Sequence, residues 1–239
     1  MTMRDWVKLP SLWIENGGLR SLRWSGDHAI GSDNIAALMV LAPIAHKADD
    51  AGLASCTYDQ LGLATGLSRS KISNGLSVLA QLGVIEREPA GRSTFQLTNY
   101  DEPGGWSKLP ARRLYDYGQI FAFDTFRLRN KAELHALKLY YLFVRRRSND
   151  TNMAHLSYDK IEEYVRISRA DIKKGISLLA AVGLVYVEHV PSRVNDRGIS
   201  NAYRLTYLEP YVHLGTRGRN ADFAMTSGNA GMSGLIDLD

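Results

Sequence analysis

The sequence predicts a mainly α protein with small β-hairpins, an α+β fold class, and three observations support this. The chain repeats itself at an offset of 100 residues, so that Trp6–Pro10 (WVKLP) recurs as Trp106–Pro110 (WSKLP). In each copy, apolar residues at helical spacing are followed by short runs typical of strands. Glycines recur at matching turn positions, 83 and 183. A duplication of this kind indicates two small domains of one architecture.

The composition is that of an ordinary folded protein. The chain has 239 residues, 45% of them hydrophobic, which fits one or two domains of about 100 residues. Cys56 is the only cysteine, so no intrachain disulfide can form and we expect a reducing cytoplasm. No apolar run is long enough to predict a membrane span, and residues 1–5 lack the pattern of a secretion signal. We therefore expect a cytoplasmic protein with no membrane partner.

The basic residues are unevenly distributed. Residues 1–104 carry a net charge of −2, whereas residues 105–239 carry a net charge of +6. Polyanion binding scales with the local density of basic side chains, so the second half is the better electrostatic partner for phosphates. A basic surface often has no ligand and is only solvated. The charge therefore supports polyanion binding only in combination with the helix pattern described below.

In the first unit, three helices are predicted. Ser32 to Asn34 offers an N-cap to a helix beginning at Ile35, in which Pro43 should cause a kink or an early end. A capping box at residues 57–60 opens the second helix. Ser68 caps the third, from Arg69 to about Gln81.

Short strands complete the first unit. They are predicted at residues 53–56, 84–87 and 94–98, the last two joined as a hairpin. The order is helix, short strand, helix, turn, helix and hairpin, which is the order of a winged helix-turn-helix domain.

The second unit has the same order. Asn130, Ser157 and Ser168 are its predicted helix caps, and its hairpin joins residues 184–190 to 202–207 through a longer loop. We predict two tandem winged helix-turn-helix domains, at residues 1–103 and 104–213, followed by a disordered tail at 214–239.

The third helix of each unit is the candidate DNA-reading element. Ile72, Leu76 and Leu79 recur at helical spacing and predict a buried stripe; Ile172, Ile176 and Leu179 form the same stripe in the second copy. The opposite face carries small polar and basic side chains that suit a major groove, where Arg and Lys pair with guanine and Asn with adenine.

The predicted DNA-binding residues follow from this face and from the hairpin loops. In the first unit they are Ser68, Arg69, Ser70, Ser73, Asn74 and Arg92. In the second unit they are Ser168, Arg169, Lys173, Lys174, Ser177, Arg193 and Arg197. We expect the second unit to supply most of the affinity, because it has two lysines on its helix and two arginines in its loop. In the first unit, Glu86 and Glu88 flank the loop that holds Arg92.

Residues 67–72 (LSRSKI) and 79–85 (LAQLGVI) resemble the recognition helix and first wing strand of many bacterial regulators. Two such units in one chain are similar to the paired winged-helix replication initiators of bacterial plasmids and phages. The resemblance covers roughly residues 30–100 and 130–207. It implies double-stranded DNA as the partner, and a possible homodimer in which one unit makes dimer contacts while the other reads DNA.

Nothing in the sequence predicts an enzyme, a cofactor or a metal site. None of the six histidines lies four residues from another, and no cysteines accompany them. Cys56 is expected to be a buried structural thiol. Each Trp-x-Lys-Leu-Pro segment is expected to pack on its own domain, the alternative being a dimer or interdomain contact.

Three functions fit these patterns. The first is a transcriptional regulator that binds an operator in duplex DNA through its second recognition helix. The second is a plasmid or phage replication initiator that binds origin repeats. The third is a protein-interaction scaffold built from winged helices.

Overall fold

The structure is a computed structural model that describes residues 3–25, 28–191 and 199–208. In the first half, the long third helix is the centre around which the other elements pack. The elements are β1 (Trp6–Pro10), α1 (Leu12–Glu15), α2 (Gly18–Ser21), α3 (His28–Lys47), β2 (Leu53–Ser55), α4 (Tyr58–Thr65), α5 (Arg69–Gln81), β3 (Ile85–Arg87) and β4 (Thr94–Leu97). Strands β2, β4 and β3 form an antiparallel sheet in that order.

The second half repeats this plan. Its elements are β5 (Trp106–Pro110), β6 (Tyr115–Asp116), β7 (Gln119–Ile120), α6 (Lys131–Arg146), β8 (Met153–His155), α7 (Tyr158–Val165), α8 (Arg169–Ala181), β9 (Val185–Pro191) and β10 (Ile199–Leu205). Strands β8, β10 and β9 form the corresponding antiparallel sheet. Across the described ranges the chain is an α+β protein with eight α-helices and small antiparallel sheets, which confirms the predicted fold class.

The helix starts are capped as the sequence predicts. Ser68 accepts a hydrogen bond from the backbone nitrogen of Lys71 at 3.3 Å, and Ser168 accepts one from that of Asp171 at 3.2 Å. Thr57 forms a complete capping box with Gln60. The two predicted apolar stripes on α5 and α8 are buried. Local sequence therefore determines where these helices begin and which side faces the core.

Helix α3 differs from its prediction. It begins at His28, not after Ser32, and the Ser32 hydroxyl donates to the carbonyl of Ala29 at 3.0 Å inside the helix. The ring of Trp24 packs against Gly31 and so supports the additional turn. Pro43 does not end the helix, which continues to Lys47. By length and composition α3 could cross a membrane, but 78% of its apolar window is buried inside the protein, as in a core helix.

The duplication extends to the packing of the helices. Gly75 of α5 lies against the backbone of α3, where an added Cβ would be 2.8 Å from the carbonyl carbon of Ala36. Gly175 of α8 lies against α6, and its Cβ would be 3.2 Å from the backbone nitrogen of Ala136. Both the glycines and their partners are separated by the repeat offset of 100 residues. Each half therefore contains the same close crossing, in which its third helix meets its central helix at a glycine.

Strands β1 and β5 pair with each other, so each Trp segment contacts the other unit in addition to the expected packing on the central helix of its own unit. The pairing is antiparallel and symmetric about Lys8 opposite Lys108. The rings of Trp6 and Trp106 stack with centroids 6.3 Å apart. Each five-residue strand hydrogen-bonds the other along their shared edge, and in this two-stranded sheet each keeps an outer edge. The alternative of an interdomain contact is thus observed beside the expected packing.

The segment after each of these strands reaches the opposite half. We call residues 11–25 the first arm and residues 111–129 the second arm. The first arm is held by α6, where Lys138 donates to the carbonyl of Leu22 at 2.9 Å and Arg145 binds Glu15 at 2.9 Å. The predicted domain limits at 103 and 213 stay predictions, and the predicted tail at 214–239 lies outside the described residues.

The second arm is held by α3. His46 hydrogen-bonds the Pro110 carbonyl through Nε2 and the Tyr115 hydroxyl through Nδ1, both at 2.8 Å. Because a carbonyl only accepts, Nε2 carries the proton and Nδ1 accepts from Tyr115. Burial lowers the pKa of His46 to about 4, so the ring is neutral.

Candidate nucleic-acid interface

The outer face of α8 is the most basic of the predicted reading surfaces. Lys173, Lys174 and Ser177 are exposed on it, together with Ala170. The opposite side of the helix packs on α6 and α7 through its buried stripe. Neither lysine has a carboxylate partner among the described residues. A partner with negative charge can therefore approach this face directly.

Arg69 and Arg169 occupy equivalent places at the start of α5 and α8. Each binds the aspartate ten residues before it, Asp59 or Asp159. The side chains of Arg69 and Asp59 are 73% and 77% exposed, so this pair contributes little to stability. Such pairs hold the guanidinium groups at the surface, where phosphate can replace the aspartate.

The predicted phosphate contacts of Ser68 and Ser168 are limited by capping. Both hydroxyl oxygens accept a backbone N–H in their own helix. The Ser168 hydroxyl also donates to Asp171 Oδ2 at 3.1 Å. Each serine is exposed at the helix start, where the backbone amides and the positive end of the helix dipole favour anions.

The corresponding face of α5 is largely committed to internal contacts. Asn74 donates to both carboxylate oxygens of Asp33 on α3, at 3.2 and 3.1 Å. Lys71 binds the same carboxylate at 2.7 Å. Ser73 is half-buried, and Ser70 is exposed. Asp33 thus places a negative charge beside the face predicted to meet DNA.

In the second half the charges at this contact are exchanged. The lysine is Lys131 on α6 and the aspartate is Asp171 on α8, 3.2 Å apart. No carboxylate of α6 binds the outer face of α8 among the described residues. The exchange places Asp171 at the start of α8, while Lys173 and Lys174 stay exposed and without a carboxylate partner among the described residues.

The hairpins differ in length and in charge. Strands β9 and β10 have seven residues each, against three and four in β3 and β4. Arg92 is exposed in the short loop of the first hairpin. Arg193 and Arg197, predicted for the longer loop, lie outside the described residues.

Two cavities lie at the starts of α5 and α8, and His28 lines both. The first, of about 750 Å³, is bounded by the start of α5 and by Arg127 and Arg129 of the second arm. The other, of about 530 Å³, is bounded by the start of α8 and by Arg23 of the first arm. The starts of α5 and α8 therefore both lie beside a cavity that His28 lines.

The basic residues at the end of the second arm and the start of α6 were not identified from the sequence as part of this surface. Arg127, Arg129 and Lys131 alternate along residues 127–131 (RLRNK), and this run was the available signal. Their position depends on the crossing of the arms, which no local pattern specifies.

Within the described residues, no group of three or more His, Cys, Asp or Glu side chains could hold a metal ion. Cys56 is buried, as expected, and burial raises the pKa of its thiol to about 11. A thiol with so high a pKa is a poor nucleophile.

No protein-family model matches the chain, and no curated protein is significantly similar to it.

Proposed function

We propose that the chain is a sequence-specific double-stranded DNA-binding protein, built from two tandem winged helix-turn-helix units, that regulates transcription by occupying an operator. The observation that carries this proposal is the two-sided character of α8. Its apolar side is buried, while Arg169, Lys173, Lys174 and Ser177 are exposed on the other. An exposed helix of this width and chemistry suits a major groove.

The order of elements supports the winged-helix assignment. Each half contains a helix, a short strand, two further helices and an antiparallel pair of strands, and the short strand joins that pair in one sheet. In this arrangement the third helix reads bases and the hairpin contacts the backbone beside it.

We expect the second half to supply most of the DNA affinity, because its exposed basic side chains attract phosphate. Lys173 and Lys174 on α8 have no carboxylate partner among the described residues, whereas Asp33 binds Lys71 on α5. Because each phosphate contact releases counterions, binding should weaken steeply with salt. In this proposal the protein acts in the cytoplasm and needs neither a cofactor nor a membrane partner.

A replication initiator is the second candidate, favoured by one observation. The starts of α5 and α8 flank one region of the molecule, since His28 lines the cavity beside each. One chain with two neighbouring reading helices suits an origin with repeated sites as well as an operator.

Footprinting on the DNA that flanks the gene separates these functions. A single protected promoter site supports the regulator, and iterated protected repeats support the initiator. No protection at any salt concentration would reject both and leave the protein-interaction scaffold.

A further inference from the structure

The cavity of about 530 Å³ between the first arm and the second half has a chemistry of its own. Its volume is within the range of small-molecule sites, about 300–1,000 Å³. The arm provides one wall, including Trp24, and α6 with the start of α8 provides the other. The cavity is thus an open depression bounded by two segments that are distant in sequence.

The lining is strongly basic. Among the described lining residues, Arg23, Lys131, Lys138 and Arg166 are basic and Asp171 is the one carboxylate. This carboxylate already binds Lys131 at 3.2 Å and accepts from Ser168 at 3.1 Å. The other basic groups have no opposite charge among the described lining residues, and this excess of positive charge favours an anion.

Lys138 lines the cavity and is only 2% exposed. Its ammonium donates to the carbonyls of Leu22 at 2.9 Å and Val165 at 2.6 Å, which leaves one of three donors. Burial, and secondly the charge of Arg23, lowers the pKa of Lys138 to about 7. A bound anion would offset both effects and stabilise the charged amine.

Arg166 occupies a backbone position that favours glycine. It ends α7 with a φ of 51°, and the equivalent residue of the first half is Gly66, with a φ of 71°. An arginine here costs conformational energy that a glycine does not. The substitution brings a guanidinium group to the cavity wall, where it faces the same space as Arg23 and Lys138.

The imidazole of His135 also lines the cavity. Its Nδ1 is buried and has no hydrogen-bond partner among the residues that the structure describes, which is uncommon for a buried polar atom. This edge of α6 therefore has hydrogen-bonding capacity that the protein itself does not use.

We propose that this cavity binds the phosphate group of a small phosphomonoester, with Arg23, Lys138 and Arg166 as the groups that hold it. Trp24 lies beside the rest of the bound molecule. A DNA backbone also carries phosphate, but an amine that is 2% exposed is reached by a small molecule and not by a duplex. The binding itself does not rest on the proposed DNA function.

The cavity at the start of α5 is a natural control. It has Gly66 where the other has Arg166, and Phe126 and Leu128 make its wall more apolar. Its Lys71 is already bound to Asp33 at 2.7 Å. This cavity is basic as well, through Lys71, Arg127 and Arg129, but it has no counterpart of the buried Lys138, because position 38 is a leucine.

The test is a titration of the full-length protein with inorganic phosphate and with AMP at constant ionic strength. Calorimetry should show saturable binding of AMP with one site per chain, and tryptophan fluorescence should change in parallel unless Trp24→Phe is present. Arg166→Gly should weaken the affinity about tenfold, because it removes one charge-assisted hydrogen bond. Its melting temperature should not fall, since glycine suits this backbone position. Arg129→Gln, in the other cavity, should leave the affinity unchanged.

Three results would overturn the proposal. One is the absence of saturable binding of both probes, and another is equal AMP affinity in the Arg166→Gly variant. The third is weaker DNA binding by Arg166→Gly without any AMP binding, because these residues would then hold the DNA backbone. Failure to bind DNA, with AMP binding intact, would reject only the proposed DNA function.

Discussion

Helices α5 and α8 are equivalent parts of a duplicated structure, yet their outer faces have different chemistry. Both are capped by serine and both cross the central helix of their half at a glycine. On α5, the polar face is bound by Asp33 from α3. On α8, Lys173 and Lys174 are exposed, and the contact with α6 has its charges exchanged. Duplication has kept the buried contacts while a few surface residues set the two helices apart.

The largest expected effect concerns DNA affinity. Arg169→Ala combined with Lys173→Ala should weaken binding by at least about 100-fold, because each charge-assisted hydrogen bond contributes about 1.5–3 kcal/mol. The salt dependence should also become shallower, by about one unit of slope for each phosphate that the variant no longer neutralises. Fluorescence anisotropy at several salt concentrations measures both.

Arg69→Ala is the matched control in the first half. We expect its DNA affinity to fall by no more than about threefold, since solvent-exposed ion pairs and rim charges contribute little. Equal reductions in the two variants would contradict the difference between α5 and α8.

The next effect is a pH dependence of stability that arises in the first half. His46 holds the second arm, and burial lowers its pKa from 6.5 to about 4. Between these values the unfolded chain binds a proton that the folded protein does not, so stability falls as the pH decreases from 6.5 to 4. The decrease is about 2–3 kcal/mol, and urea unfolding across this range measures it.

His46→Gln tests the assignment, because it removes the titrating group while an amide can still hydrogen-bond. The position 100 residues later is Arg146, but burial also lowers the pKa of His135 in the second half to about 4, so the variant should lose only the part of the pH dependence that His46 contributes. A variant with the same pH dependence as the original protein would show that other groups are responsible.

The helix crossings give a paired prediction of smaller size. Gly75→Ala should lower the free energy of unfolding by about 2 kcal/mol, because its Cβ would meet the backbone of α3 at 2.8 Å. Gly175→Ala should cost about 1 kcal/mol or less, since the closest obstacle is the flexible side chain of Leu139 and helix propensity improves. Chemical denaturation measures the free energy of unfolding of both variants. A larger loss for Gly175→Ala than for Gly75→Ala would show that the second crossing is the tighter one.

The smallest effect is expected for the strand pair that joins the halves. Trp6 and Trp106 are stacked, with their ring planes 5° apart, and both are partly exposed. A double-mutant cycle with alanine should give a coupling of about 1 kcal/mol. A coupling near zero would mean that backbone pairing alone joins β1 to β5.

Much of each half could be predicted because the signals are local. Ser68, Thr57 and Asn130 each cap a helix that begins within a residue or two. The buried stripe on α5 follows directly from helical spacing. These contacts depend on neighbouring residues and are therefore visible in the sequence.

The parts that could not be predicted depend on contacts between distant residues. The sequence around Asp33 predicts a helix cap, but this residue lies within α3 and binds Lys71, 38 residues away. Lys138 and Leu22 are 116 residues apart, and they join an arm to the opposite half. Nothing in the local pattern of either segment indicates its partner.

The most direct test of the central claim is an unbiased selection of duplex DNA by the purified full-length protein, run in parallel with the Lys173→Ala variant. We predict that the original protein enriches one defined sequence, and that the variant loses its preference at one or two base pairs of that sequence. The absence of any enriched sequence, or the same enriched sequence with undiminished preference in the variant, would contradict the claim that α8 reads DNA.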